Sequence, residues 1–148
     1  MAAFKKILAP TDFSPISVQA VREAVALAKQ LGAEVQVLHV CPLLMYALNP
    51  EVVPDDPAFE QRLKKHLREE LARTAESVRA PGVTVTTALV DGSPQHEIAK
   101  VAAQGGFDLV VMSTHGRTGL SHFTLGSVAE RTVRTSSVPV LTIRGQEP

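Results

Sequence analysis

Leu109-Val110-Val111-Met112, then Ser113-Thr114-His115-Gly116-Arg117-Thr118-Gly119-Leu120-Ser121-His122-Phe123-Thr124-Leu125-Gly126-Ser127, then Val128-Ala129-Glu130-Arg131-Thr132-Val133: an apolar run, a glycine-bearing loop and a helix-like segment follow one another. A short apolar run bounded by turn residues reads as a buried strand. Strand, glycine loop and helix start, in that order, form an anion site. Glycine lets the backbone approach a phosphate closely, and the first N–H groups of a helix have no internal partner. The hydroxyls of Ser113, Thr114, Thr118, Ser121, Thr124 and Ser127 suit phosphate oxygens. The competing reading is a glycine-rich connection capped by a serine, with no ligand. The loop lacks the lysine of a P-loop and is not a G-x-G-x-x-G fingerprint.

Outward from this stretch the same alternation repeats. Phe4 to Ala9 reads as a strand, and Ser14-Pro15 opens a helix with a capping serine and a first-turn proline. Val18, Val21, Val25, Ala28 and Leu31 keep helical spacing up to Gly32. Glu34 to Val40 is a second strand. Phe59, Leu63, Leu67, Leu71, Thr74, Ala75 and Val78 mark a second helix ended by Pro81-Gly82. Val83 to Val90 is a third strand, with Val83, Val85 and Thr87 expected on the opposite face from Thr84, Thr86 and Ala88. Ser93-Pro94 opens a third helix with Ile98, Val101 and Ala102 inward, closed by Gly105-Gly106. After the opening stretch, with its helix from Ser127 to Arg134, Val138 to Ile143 forms the last strand. Strand–helix four times and a final strand predict a parallel sheet with helices on both faces, in one domain over residues 1–148. Pro139 cannot donate to a sheet ladder, which puts the last strand at an edge, where pairing with a second copy is a natural cover.

Composition agrees. In 148 residues, 45% are apolar and 20% charged, as in globular chains. Aromatics at 4% leave Ala, Val and Leu to build the core, as in helix-covered parallel sheets. Fifteen basic residues balance fifteen acidic ones, and no basic stripe suggests nucleic acid. Cys41 alone cannot form an internal disulfide, and no run is long enough for a membrane span. The expectation is a cytoplasmic protein. Residues 41–58, rich in proline but carrying Leu43, Leu44, Met45, Tyr46 and Leu48, read as a partner or ligand contact or a packed helical turn.

In open parallel sheets a ligand binds outside the carboxyl ends of the strands where the strand order reverses. If the first and fourth strands flank that point, Pro10-Thr11-Asp12-Phe13-Ser14 meets the glycine loop there. Asp12 then accepts hydrogen bonds from a sugar or base, or helps hold a metal; the competing reading, compatible with these, is that it caps the first helix together with Ser14. His115 lies inside the glycine loop. His39 is either a polar strand end or part of a base pocket, and His66 is a helix-surface residue. The histidines make no metal-ligand pattern, and no nucleophile–base pair stands out.

The chain resembles the universal stress proteins of the single-domain, nucleotide-binding kind. The likeness rests on residues 7–14 (Ile-Leu-Ala-Pro-Thr-Asp-Phe-Ser), 37–40 (Val-Leu-His-Val), 91–94 (Asp-Gly-Ser-Pro), 108–120, 125–131 and 138–144, and so spans nearly the whole length. The family's motif G-x2-G-x9-G-S/T falls on Ser113, Gly116, Gly126 and Ser127. Serine stands at the first glycine, a position that matters if a positive φ is required there. The resemblance implies a Rossmann-like sheet of order 3-2-1-4-5 and an ATP site. In it Asp12 meets the ribose or base edge beside Pro10 and Thr11, and Val40 meets the adenine. Met112, Ser113, Thr114 and His115 pass under the sugar. Gly116, Arg117, Gly126, Ser127 and Val128 hold the phosphates, with Mg²⁺ or Mn²⁺ as an accompanying ion. It also implies a homodimer through the last strand and a stress-response role with a protein partner the sequence does not name. Two other functions fit the same fold: an interaction module that binds no nucleotide, and a slow ATP hydrolase or self-phosphorylating protein.

Overall fold

The computed structural model of the chain describes residues 3–43, 51, 56–116 and 124–145. Five strands form one parallel sheet: β1 (Lys6–Pro10), β2 (Glu34–Cys41), β3 (Val85–Asp91), β4 (Leu109–Ser113) and β5 (Val140–Ile143). Four helices are seen among the described residues: α1 (Pro15–Leu31), α2 (Phe59–Ser77), α3 (Pro94–Gln104) and α4 (Ser127–Thr135). The strand order is β3-β2-β1-β4-β5, with all neighbours parallel. The expected fold class and order are therefore observed.

The central strands read as continuous apolar runs because both faces are covered. On one face, Val21, Ala24, Val25 and Ala28 of α1 and Leu71 of α2 pack on Ile7, Ala9, Val35, Val37 and Val111. On the other, Ile98 and Ala102 of α3 and Ala129 of α4 pack on Leu8, Leu38, Val40, Val110 and Met112. Successive strand residues serve opposite faces, so each strand feeds both layers.

Boundaries move at strand starts and helix ends. β5 begins at Val140 and not Val138. Pro139 stays outside the strand and contributes only its carbonyl, which accepts from Val110 N at 2.9 Å. α2 stops at Ser77, before Pro81-Gly82, and those two residues form their own turn. Val83 N donates to Ala80 O at 3.2 Å and Gly82 has φ +79°, the type II signature of proline then glycine. Thr87 is exposed although Val85 beside it is half buried, because β3 is an edge strand covered only in part.

Candidate functional site

The site begins with a broken ladder. β1 pairs with β2 as far as Pro10↔Leu38, but with β4 only as far as Leu8↔Val110. Backbone groups of a strand alternate sides. Lys6 O accepts from Asp108 N on the β4 side, and Thr11 N donates to Leu38 O on the β2 side. Pro10 therefore faces β4, where it has no N–H to give. The strands part there, and a cavity of about 230 Å³ opens at their carboxyl ends. Pro10, Thr11, Asp12, Val40, Met112, Ser113, Thr114, His115, Gly116, Gly126, Ser127 and Val128 all line it. Arg117 lies outside the described residues, as do most of the hydrophobic residues of the 41–58 segment.

One wall is the turn after β1, whose hydrogens can be assigned by elimination. Ser17 Oγ donates to Ser14 O at 3.0 Å, so it accepts the Thr11 hydroxyl at 2.8 Å and Asp12 N at 3.3 Å. Thr11 Oγ1 in turn accepts from Phe13 N at 3.0 Å. Both hydroxyl hydrogens are thus spent inside the turn, and Thr11 shapes the wall without offering a donor. Ser14 is the cap of α1: its side chain accepts from Ser17 N at 3.3 Å. Asp12 does not cap the helix. Its Oδ1 accepts from Ser14 N at 2.9 Å, bracing the turn, and its Oδ2 lies against Gly116, where a Cβ would come within 2.4 Å of it. Phe13 has φ +67°, a left-handed conformation that costs a bulky residue about 1–3 kcal/mol. Its ring packs on the His39 imidazole at 4.4 Å between centroids. His39 Nδ1 lies 2.8 Å from Thr11 O. A carbonyl only accepts, so Nδ1 carries the proton.

The opposite wall is the start of α4. Its cap residue is Gly126, with no side chain to satisfy the first N–H groups of the helix. Gly126 N donates to Thr114 O at 2.7 Å, and a Cβ there would sit 2.9 Å from the same oxygen. Neither Gly116 nor Gly126 has a positive φ. A side chain at Gly126 would meet backbone, whereas one at Gly116 would meet only the side-chain end of Asp12. Ser113 likewise has no positive φ, and its Oγ donates to His115 O at 2.6 Å, so serine fits the first motif position. His115 bridges Thr114 Oγ1, at 2.9 Å, and the Thr124 carbonyl, tying together the two ends of the glycine loop.

The floor is apolar: Leu38, Val40, Ile98 and Met112. Because Leu38 O faces β1 and Cys41 O accepts from Gly92 N on the β3 side, the backbone of Val40 faces the side from which β1 has turned away. Cys41 itself is fully buried; burial first, and then the charge of Asp91, push its thiol above the ordinary range, which disfavours the nucleophilic thiolate. Sequence reasoning did not place Ser17, Leu38, Pro94, Ile98 or Ala129 at the cavity, and left His39 undecided. The spacing of Ser17 three residues after Ser14 was a usable signal. The others come from elements brought together only by the fold. Among the described residues no group of three His, Cys, Asp or Glu side chains could hold a metal ion. No helix there is long and apolar enough to cross a membrane.

Residues 3–144 match the family model described as the universal stress protein family. Universal stress protein MJ0531 of Methanocaldococcus jannaschii is 35% identical over 95% of this chain and 82% of its own length. Universal stress protein MJ0577 of the same organism is 34% identical over 95% of both chains. The solved structure of MJ0577 superposes with a TM-score of 0.83 at 28% identity, covering 99% of this chain and 100% of that one. Two more distant structures share the fold. One is a universal stress protein in complex with cAMP (22% identity, 96% of this chain and 98% of that one, TM-score 0.72). The other is the Archaeoglobus fulgidus protein in complex with dAMP (19%, 96% and 99%, TM-score 0.68). With an open parallel sheet, a cleft at its switch point and a match along nearly its full length, this chain belongs to the universal stress protein family.

Proposed function

We propose that the protein binds an adenine nucleotide, ATP in the first instance, in the crevice between β1 and β4, and acts as a nucleotide-dependent stress-response module. The observation that carries this reading is the pairing of an uncapped helix start with the Asp12 carboxylate, braced by Ser14 N, across one apolar-floored cavity. The N–H groups of Ser127 and Val128 offer donors and a positive dipole end to phosphate oxygens. Asp12 offers acceptors to ribose hydroxyls. Val40 offers a backbone edge and an apolar surface to a base. Gly116 and Gly126 keep the cavity clear of side chains. The cAMP and dAMP held by two proteins of the same fold support an adenine nucleotide as the ligand class. With no protein cluster for a metal among the described residues, Mg²⁺ or Mn²⁺ would enter with the phosphates and retain much of its water. The cytoplasm is the compartment in which this reading places the protein.

The test is to purify the protein without added nucleotide, denature it and identify released small molecules by mass spectrometry, then titrate the emptied protein with Mg-ATP, AMP and cAMP. Released adenine nucleotide, or saturable binding, is expected. Gly126→Val should lower ATP affinity at least about tenfold, since its new side chain meets the fixed carbonyl of Thr114. No release and no binding would favour the interaction module that needs no nucleotide. Turnover far beyond one product per protein would favour a hydrolase.

A homodimer through β5 belongs to the same reading. β5 is a sheet edge, and Leu141 on it is 41% exposed. Pairing of two copies there would cover both features.

A further inference from the structure

We propose that His39 is a positioning residue that sets the ribose preference of the nucleotide site by holding Thr11 and, through it, Asp12. The inference rests on the nucleotide reading above. β1 ends at Pro10, yet the chain does not leave the sheet at once. Thr11 N remains bonded to Leu38 O at 2.8 Å, a normal ladder bond. Thr11 O also faces β2, where the parallel ladder would continue with a backbone donor from Val40. The His39 imidazole supplies a bond instead, Nδ1 to Thr11 O at 2.8 Å. Both polar groups of the Thr11 backbone are therefore fixed by neighbouring residues of β2, one through the main chain and one through a side chain.

The same imidazole is the surface on which Phe13 rests, at 4.4 Å. Phe13 holds the left-handed conformation that turns the chain after Asp12. His39 thus touches the residues on both sides of Asp12. Between them Asp12 directs Oδ1 to Ser14 N and Oδ2 toward Gly116 at the mouth of the crevice. Thr11 and Ser17 spend their hydroxyl hydrogens within the turn, so they reinforce this geometry without competing for the ligand.

The experiment compares His39→Leu, which keeps bulk but loses the donor, with His39→Asn, which keeps a donor near the Nδ1 position. Each is titrated calorimetrically with Mg-ATP and with the 2′,3′-dideoxy analogue. The wild type is expected to prefer ATP by about tenfold, the size of a hydrogen bond to a charged group. His39→Leu should reduce that preference to about twofold or less, chiefly through weaker ATP binding, and His39→Asn should restore most of it. In an Asp12→Ala background, His39→Leu should change the preference no further, because the effect passes through Asp12. His39→Ala gives the same comparison should the leucine variant fail to fold. A full ribose preference in the variant lacking the donor overturns the proposal while leaving nucleotide binding intact. Equal binding of both nucleotides by the wild type overturns it as well. Absence of binding to either nucleotide by the wild type removes the nucleotide reading, and this proposal with it.

Discussion

Two glycines of the candidate site look alike in sequence and differ in what they protect. Gly126 stands off a backbone oxygen that the sheet holds in place, whereas Gly116 stands off the end of the Asp12 side chain, which can rotate. Gly116→Ala is therefore expected to leave stability within about 1 kcal/mol of wild type, because a side-chain rotation relieves the contact. The same rotation takes the carboxylate from its position, and ATP affinity should fall about tenfold. Thermal denaturation and calorimetric titration of one preparation check both halves, and a stable variant with unchanged affinity would dissociate Asp12 from the ligand. At this scale the sequence was legible where chemistry is local. Asp12, Gly116, Gly126 and Ser127 stand out by residue type and order. It was silent on why they matter, since the closeness of Asp12 to Gly116 joins positions more than a hundred residues apart. His39 was ambiguous for a related reason. A histidine at a strand end is unremarkable until the carbonyl of Thr11 is seen beside it.

Ser-Pro occurs twice as a helix opening, and the two occurrences are not equivalent. Ser14 gives α1 a side-chain cap, but Ser93 makes no side-chain capping bond to α3. Ser14→Ala should destabilise the protein by about 1 kcal/mol, and Ser93→Ala by only a few tenths. Chemical denaturation of both variants measures the contrast; equal losses would mean that the capping bond of Ser14 contributes nothing particular. Periodicity sufficed to find both helices, because the buried faces of α1 and α3 repeat every three or four residues. Their ends were less legible. Gly105-Gly106 marks the end of α3, yet only Gly106 has a left-handed backbone; Gly105 lies close to the ring of Phe107 and to Val101 O. Strand β3 shows the limit of alternation as a guide. Thr87 keeps the pattern of an inward residue yet is exposed, while Val85 and Leu89 on either side of it are half buried and pack on the core.

For the whole molecule, the alternation of strands and helices announces a parallel sheet and the apolar strands announce burial on both faces, whereas the order β3-β2-β1-β4-β5 was implied only by the family resemblance. Which two strands flank the switch point required the family resemblance or the structure. The β5 edge was anticipated from Pro139, though that residue lies before the strand and not within it, and the β3 edge was not read from any residue. The proposed β5 dimer predicts that sedimentation will show a two-chain species for wild type. Leu141→Lys should shift it to monomer, because an exposed edge carrying a charge resists pairing. A monomeric wild type would refute that association.

Thr114 links two parts of the architecture. Its N–H donates to Ile143 O, the last residue of the outer strand, at 3.0 Å, while its carbonyl accepts from Gly126 N, the cap of α4. One peptide unit on either side of a single α-carbon is thus bolted to the rim of the sheet and to the doorway of the cleft. The rim and the doorway are separated by two hydrogen bonds and a single residue.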